Sequence, residues 1–193
     1  MAPADRAAFR NRVVVVGVCG SIAAYKVAVA VRLLVKAGAE VRVAMTPAAT
    51  RFVGAATFRA LSRHPVITDM WAPDSPWDEP HVALGRQAAV MLVAPATANA
   101  LGRLAAGLAD DVVSATVLAT RAPILLAPAM SAEMAAAPVV QDNLARLRAR
   151  GMHVIGPERG ELASGEIGAG RMSEPDAIVD RLATLVGEPG VRR

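Results

Sequence analysis

Cys19 is the only cysteine in this chain, so no disulfide can form within it and no cysteine-based metal framework is available. Aromatic residues are also scarce, at 3% of 193 residues, which leaves few platforms on which bases could stack. Arginines are plentiful but scattered, from Arg32 and Arg51 through Arg103 to Arg150, rather than gathered in one run. The formal net charge of +4 therefore suits an anionic cofactor or substrate better than nucleic acid. No apolar run approaches the roughly 18–20 residues that would span a bilayer, and the block Val13–Val18 is only strand-sized. The segment 1–12 lacks the apolar core of a signal peptide and reads as a flexible leader. Neither nucleic acid nor membrane is expected as a partner, no metal is expected, and a cytoplasmic location is the simplest expectation.

What the sequence does have is a 54% hydrophobic composition cut into short blocks. Residues 13–18, 40–46, 89–94 and 124–127 are predicted as strands, with a weaker one at 152–155. Helical patterns alternate with them. The first is 22–37, with Ser21 as its N-cap and Gly38 as its stop. The others are 98–106, 111–120, 139–150 and 176–186, the last opened by Pro175. Near-continuous apolar strands alternating with helices predict an α/β fold whose parallel sheet is covered on both faces. One domain over 13–186 is expected, between the flexible leader 1–12 and a flexible tail 187–193. Two segments, 71–80 and the glycine-rich 156–172, are expected to be loops without regular structure, the second acting as a mobile flap.

The chemistry-bearing residues collect after the strands. The first strand runs through Gly17 into Gly20 and Ser21, a glycine turn that places N–H groups and a hydroxyl at a helix N-terminus, where a phosphate is stabilised. Thr46 closes the second strand, Thr97, Ala98 and Asn99 follow the third, and Ala129, Met130 and Ser131 follow the fourth. Parallel strands bring these ends to one edge of the sheet, where ligands bind. Taken singly, Thr97 and Ser131 are equally good helix caps. Asp110 and Asp111 suit a helix start. His81 follows Pro80 at the start of a helix and is either a solvated first-turn residue or a base that titrates near neutrality. His64 and His153 read as structural.

Six strings occur in order: GSIAAYK at 20–26, His81 before a helix, APATAN at 94–99, GLADD at 107–111, PAMSAEM at 128–134 and SGEIGAGRM at 164–172. Together they resemble the flavin-containing cysteine decarboxylase family, which includes phosphopantothenoylcysteine decarboxylase of coenzyme A synthesis and the peptidyl-cysteine decarboxylases of lantibiotic-type biosynthesis. The resemblance implies a flavodoxin-like or Rossmann-like three-layer sandwich with FMN near a subunit interface, assembled as a homotrimer or a dodecamer of trimers. It implies FMN contacts from Gly20, Ser21, Ile22, Thr46, Thr97, Ala98, Asn99 and Ala129. Substrate contacts would come from Met130, Ser131 and Ser164, and His81 falls on the family's catalytic histidine.

Two positions depart from the family pattern. Ser131 stands where an asparagine would hold the substrate carboxylate. Ser164 stands where coenzyme A-type members carry a cysteine that helps reduce the enethiol, and a hydroxyl has no such redox chemistry. Ser164 points to the peptide branch: FMN-dependent oxidative decarboxylation of the C-terminal cysteine of a ribosomal precursor peptide to an aminoenethiol. The alternatives are phosphopantothenoylcysteine decarboxylase, acting on a small cysteine-containing substrate, and a catalytically silent flavin-binding regulatory subunit.

Overall fold

The computed structural model describes residues 5–73, 77–188 and 190. Six of the chain's apolar blocks form one sheet: β1 (Val13–Val18), β2 (Glu40–Met45), β3 (Val66–Ile67), β4 (Val90–Ala96), β5 (Ile124–Pro128) and β6 (His153–Val154). Their order is β3-β2-β1-β4-β5-β6 and every pairing is parallel, with Val16 facing Val43 of β2 and Leu92 of β4. With the two-residue edge strand β3 set aside, the order reduces to the flavodoxin-like one, with its switch point between β1 and β4.

Helices cover both faces, as β-strands apolar on both sides require. They are α1 (Ala24–Lys36), α2 (Ala55–Ser62), α3 (Pro80–Gln87), α4 (Ala98–Ala106), α5 (Val112–Ala119), α6 (Ala132–Ala136), α7 (Pro138–Ala149) and α8 (Pro175–Leu185). Alternation along β1 separates the two cores. Val14, Val16 and Val18 pack with Val27 and Leu34 of α1 and Ile178 and Leu182 of α8. Val15 packs on the other side, with Leu101 of α4, Val113 and Val117 of α5, and Leu144 of α7. Gly17 is small by necessity, since a Cβ there would lie 2.6 Å from Val113 Cγ1 and push α5 off the sheet.

The structure departs from the sequence expectations in four places. Helix α1 begins at Ala24 rather than at residue 22, and Ser21 instead accepts from Ala23 N at 3.3 Å in the turn leading into it. Between Thr46 and Trp71 lie α2 and β3, neither of which was expected. The glycine-rich segment is not an irregular loop. It forms an antiparallel hairpin of β7 (Glu158–Glu161) and β8 (Ile167–Arg171), a small sheet of its own. In β8 the two buried positions are Gly168 and Gly170, and their glycines serve close approach: a Cβ on Gly168 would sit 2.7 Å from Ala132 Cβ, and one on Gly170 would collide with the Met130 carbonyl. Of the 71–80 loop, residues 74–76 lie outside the described residues, as do 189 and 191–193 of the expected tail.

The fourth departure is the leader. Arg6–Phe9 forms a 3-10 turn capped by Asp5, and Phe9 is fully buried in the core under α1 and α8. Arg6 ties the turn to α8 through Asp180 at 2.7 Å and Asp176 at 2.9 Å. Phe9→Ala should therefore lower unfolding stability by about 3–5 kcal/mol, read as a lower denaturant midpoint at unchanged slope. A midpoint equal to that of the parent would restore the flexible leader.

Candidate functional site

Strands β1, β2, β4 and β5 end at one edge of the sheet, and the chain turns there into helices whose first N–H groups have no partner within the helix. After β1 the chain passes through Cys19, Gly20, Ser21 and Ile22 before entering α1. Gly20 is pressed against the segment after β2, where a Cβ would lie 2.5 Å from Ala48 Cβ and 2.9 Å from its carbonyl carbon. Among the described residues, the N–H groups of Gly20, Ser21 and Ile22 have no protein acceptor. Thr46 Oγ1 accepts from Ala49 N at 3.2 Å, and Thr97 caps α4 by accepting from Ala100 N at 3.2 Å. Asp111 caps α5 in a full capping box with Ser114. Ser131 caps the short α6 by accepting from Met134 N at 3.3 Å. The hydroxyls of Thr46, Thr97 and Ser131 thus accept from the backbone and keep their own protons to donate.

These turns enclose two adjoining cavities. The first, about 620 Å³, takes its walls from Gly20, Ser21, Thr46, Thr97, Ala98, Asn99 and Ala129, with Val93, Leu104, Val113 and Met134 as apolar lining. The second, about 540 Å³, lies beside the hairpin and includes Ile22, Ser131 and Ser164. Ser21, Ala129 and Met130 belong to both walls. Met130 N donates to Gly170 O at 3.0 Å, so the hairpin is bonded to the segment that separates the two spaces. Of the residues singled out in the sequence, all but His81 come together here.

His81 is a first-turn residue of α3 and lines neither cavity of the single chain. Its Nδ1 is buried and, among the described residues, has no hydrogen-bond partner.

Several wall residues were not anticipated. Asp110 and Asp111, read only as a helix start, also border the first cavity together with Arg103, which pairs with Asp110 and donates to Asn99 Oδ1 at 3.4 Å. Tyr25, Lys26 and Arg171 line the second. Cys19 lies in the wall of the first cavity, and burial, reinforced by the Asp111 charge, pushes its thiol up to about 12. It is a protonated, inert wall group rather than a nucleophile.

The first cavity fits a flat ring carrying a phosphorylated chain. The free N–H groups and hydroxyls of the glycine turn suit the phosphate, while Val93, Val113 and Met134 offer apolar surface to a ring. A family model described as Flavoprotein matches residues 4–187. The bifunctional coenzyme A biosynthesis protein CoaBC of Mycobacterium tuberculosis H37Rv is 53% identical over 175 residues, covering 91% of this chain and 41% of that protein. Its counterpart in Haemophilus influenzae is 45% identical over 175 residues, covering 91% and 44%. The chain thus spans about two-fifths of the length of these curated relatives. Among solved structures, the FMN-dependent cysteine decarboxylase SpaF has a TM-score of 0.79 at 34% identity, covering 91% of this chain and 97% of that one. A cysteine-to-serine mutant of PPC decarboxylase, complexed with pantothenoylaminoethenethiol, has a TM-score of 0.82 at 30% identity, covering 90% and 97%.

The state of Cys19 can be tested directly. The folded chain holds the thiol proton more tightly than the unfolded chain, whose cysteine has the ordinary value of 9.0. The stabilisation linked to this proton is complete below pH 9 and is lost as pH rises toward 12. At pH 8 Cys19 should resist a thiol-alkylating reagent until the protein unfolds. Equal labelling rates in folded and unfolded protein would contradict the burial argument.

Proposed function

The chain belongs to the flavoprotein family of FMN-dependent cysteine decarboxylases, and from that membership we propose that it binds FMN in the first cavity and oxidatively decarboxylates the cysteine of phosphopantothenoylcysteine in the second. The observation that carries the choice of substrate is the 53% identity to a coenzyme A biosynthesis protein across 91% of the chain, against 34% to SpaF. The expectation of a ribosomal precursor peptide rested chiefly on Ser164 and gives way to this one. Ser164 is better understood as setting the product. In support, the similar PPC decarboxylase carrying serine for cysteine is complexed with an aminoethenethiol.

Bound FMN supplies a two-electron acceptor for oxidation of the thiol-bearing carbon, after which the neighbouring carboxylate leaves readily as carbon dioxide. The chain's own residues position and screen. Backbone N–H groups of Gly20 and Ser21, with the hydroxyls of Thr46 and Thr97, suit the cofactor's phosphorylated chain, and Ala98, Asn99 and Ala129 complete its wall, whereas Ile22, expected among the FMN contacts, lines the second cavity. Met130 stands between cofactor and substrate spaces. Ser131 keeps a hydroxyl proton for the substrate carboxylate, because its oxygen already accepts from Met134 N. Ser164 accepts from Glu166 N at 3.4 Å and donates to Glu166 Oε2 at 3.3 Å, and offers no electrons to the enethiol.

His81 acts as the base in this proposal, so the complete site needs a second copy of the chain to bring a histidine to the cavities. Exposed Ile22, in the turn before α1, and Tyr25 and Val29 on α1 support such an assembly, as a homotrimer or a dodecamer of trimers. A cytoplasmic setting, where thiols stay reduced, belongs to the same proposal.

Purified protein should be yellow and release FMN on heating. Anaerobic mixing with phosphopantothenoylcysteine should bleach the flavin once and stop, yielding a decarboxylated product two hydrogens lighter than the saturated thiol. Bleaching only by a peptide ending in cysteine would return the peptide branch. No bleaching by either would favour the silent regulatory subunit. His81→Asn should retain FMN while turnover falls by about 10²–10⁴-fold, and wild-type turnover in that variant would remove His81 from the mechanism.

A further inference from the structure

The second cavity has a feature that oxidation and decarboxylation do not use. Lys26 from α1 and Arg171 from the end of β8 both line it. Lys26 donates to Glu174 Oε1 at 2.9 Å, and Arg171 forms an ion pair with the same oxygen at 3.5 Å. The lysine side chain is only 17% exposed, whereas that of Glu174 is 50% exposed. Arg171 also reaches Glu158 at 3.4 Å, and its Nε is buried without a partner among the described residues. Gly160 makes room for that guanidinium, since a Cβ there would sit 2.7 Å from Nε.

Two cations converging on one acceptor oxygen leave donors unused: an ammonium has three and a guanidinium five. Their common counterion is half in water, so turning it away from them breaks an ion pair of the weak, screened kind. Glu174 itself stands behind the cavity wall, and Glu161, the acidic residue among the described lining residues, is exposed to water. A phosphate monoester would bring more acceptor oxygens and more charge than the carboxylate it replaces.

We propose that Lys26 and Arg171 form a subsite for the phosphate end of the substrate, held ready by Glu174 as a displaceable stand-in. The proposal rests on phosphopantothenoylcysteine being the substrate, and its chemistry makes these residues specificity determinants rather than catalytic ones. Glu174 is then a competitor of the phosphate and not its helper.

This sign separates a subsite from a structural brace. The FMN-loaded chain is assayed in air, where oxygen reoxidises the reduced flavin after each decarboxylation, with phosphopantothenoylcysteine and with unphosphorylated pantothenoylcysteine, and the ratio of the two kcat/KM values is compared across variants. Lys26→Met should lower the preference for the phosphorylated substrate by about tenfold or more. Arg171→Gln, compared at equal FMN loading, should act in the same direction. Glu174→Gln should hold the preference or raise it, and added salt should weaken it in the parent protein. If Glu174→Gln lowered the preference as Lys26→Met does, the cluster would be a brace and the subsite would be lost. A fall of equal size for both substrates would assign the cations to the cysteine carboxylate and overturn the proposal. So would a parent protein that decarboxylates both substrates equally well. Turnover of neither substrate by the parent would instead sink the substrate assignment, and the subsite with it.

Discussion

Six strands run in one direction through the main sheet, so their carbonyl ends gather at a single edge and the chain must leave each of them through a turn. At β1 the constraint is tightest, because β2 lies on one side, β4 on the other and α5 directly on Gly17. The turn after β1 has little space, as the contact between Gly20 and Ala48 shows. What remains unpaired there is backbone N–H, which is why the crevice at the switch point suits an anion before any side chain is considered.

The side chains that complete the crevice are mostly small and serve two purposes at once. Thr97 and Ser131 end the frayed starts of α4 and α6, and the same hydroxyls border the cavities. Capping fixes each oxygen through its own helix, so the donor it presents does not depend on a mobile side chain.

Much of this arrangement was legible in the residue order. The blocks 13–18, 40–46, 89–94 and 124–127 became the four central strands because apolar runs bounded by turns have few other uses in a sheet covered on both faces. The glycine turn and hydroxyl-bearing strand ends followed from parallel topology. Other parts were hidden for identifiable reasons. Helix α2 starts at Gly54 without a side-chain cap, so nothing announced it. Strand β8 hides its alternation because its buried residues are glycines, which read as flexibility until the surfaces they touch are known. Lys26 is a long side chain whose destination depends on a distant element. Arg171 and Glu174 are three residues apart, but the arrival of Lys26 on Glu174 is a tertiary event. His81 was visible as a candidate, yet a single chain does not carry it to the cavities.

The hairpin of β7 and β8 pairs with no strand of the main sheet. Its bond from Met130 to Gly170 and its close approach at Ala132 attach it to the loop and helix after β5, and the two hydrophobic cores are built almost entirely without it. The turn between its strands, around Gly165, meets nothing that a side chain there would strike. Evolution can therefore lengthen, shorten or recharge this hairpin without repacking the scaffold, provided the two glycines facing α6 are kept. A fold organised in this way separates the inheritance of its cofactor from the inheritance of its substrate. A short appendage can change its length and charge while the sheet and the glycine turn beneath it stay as they are.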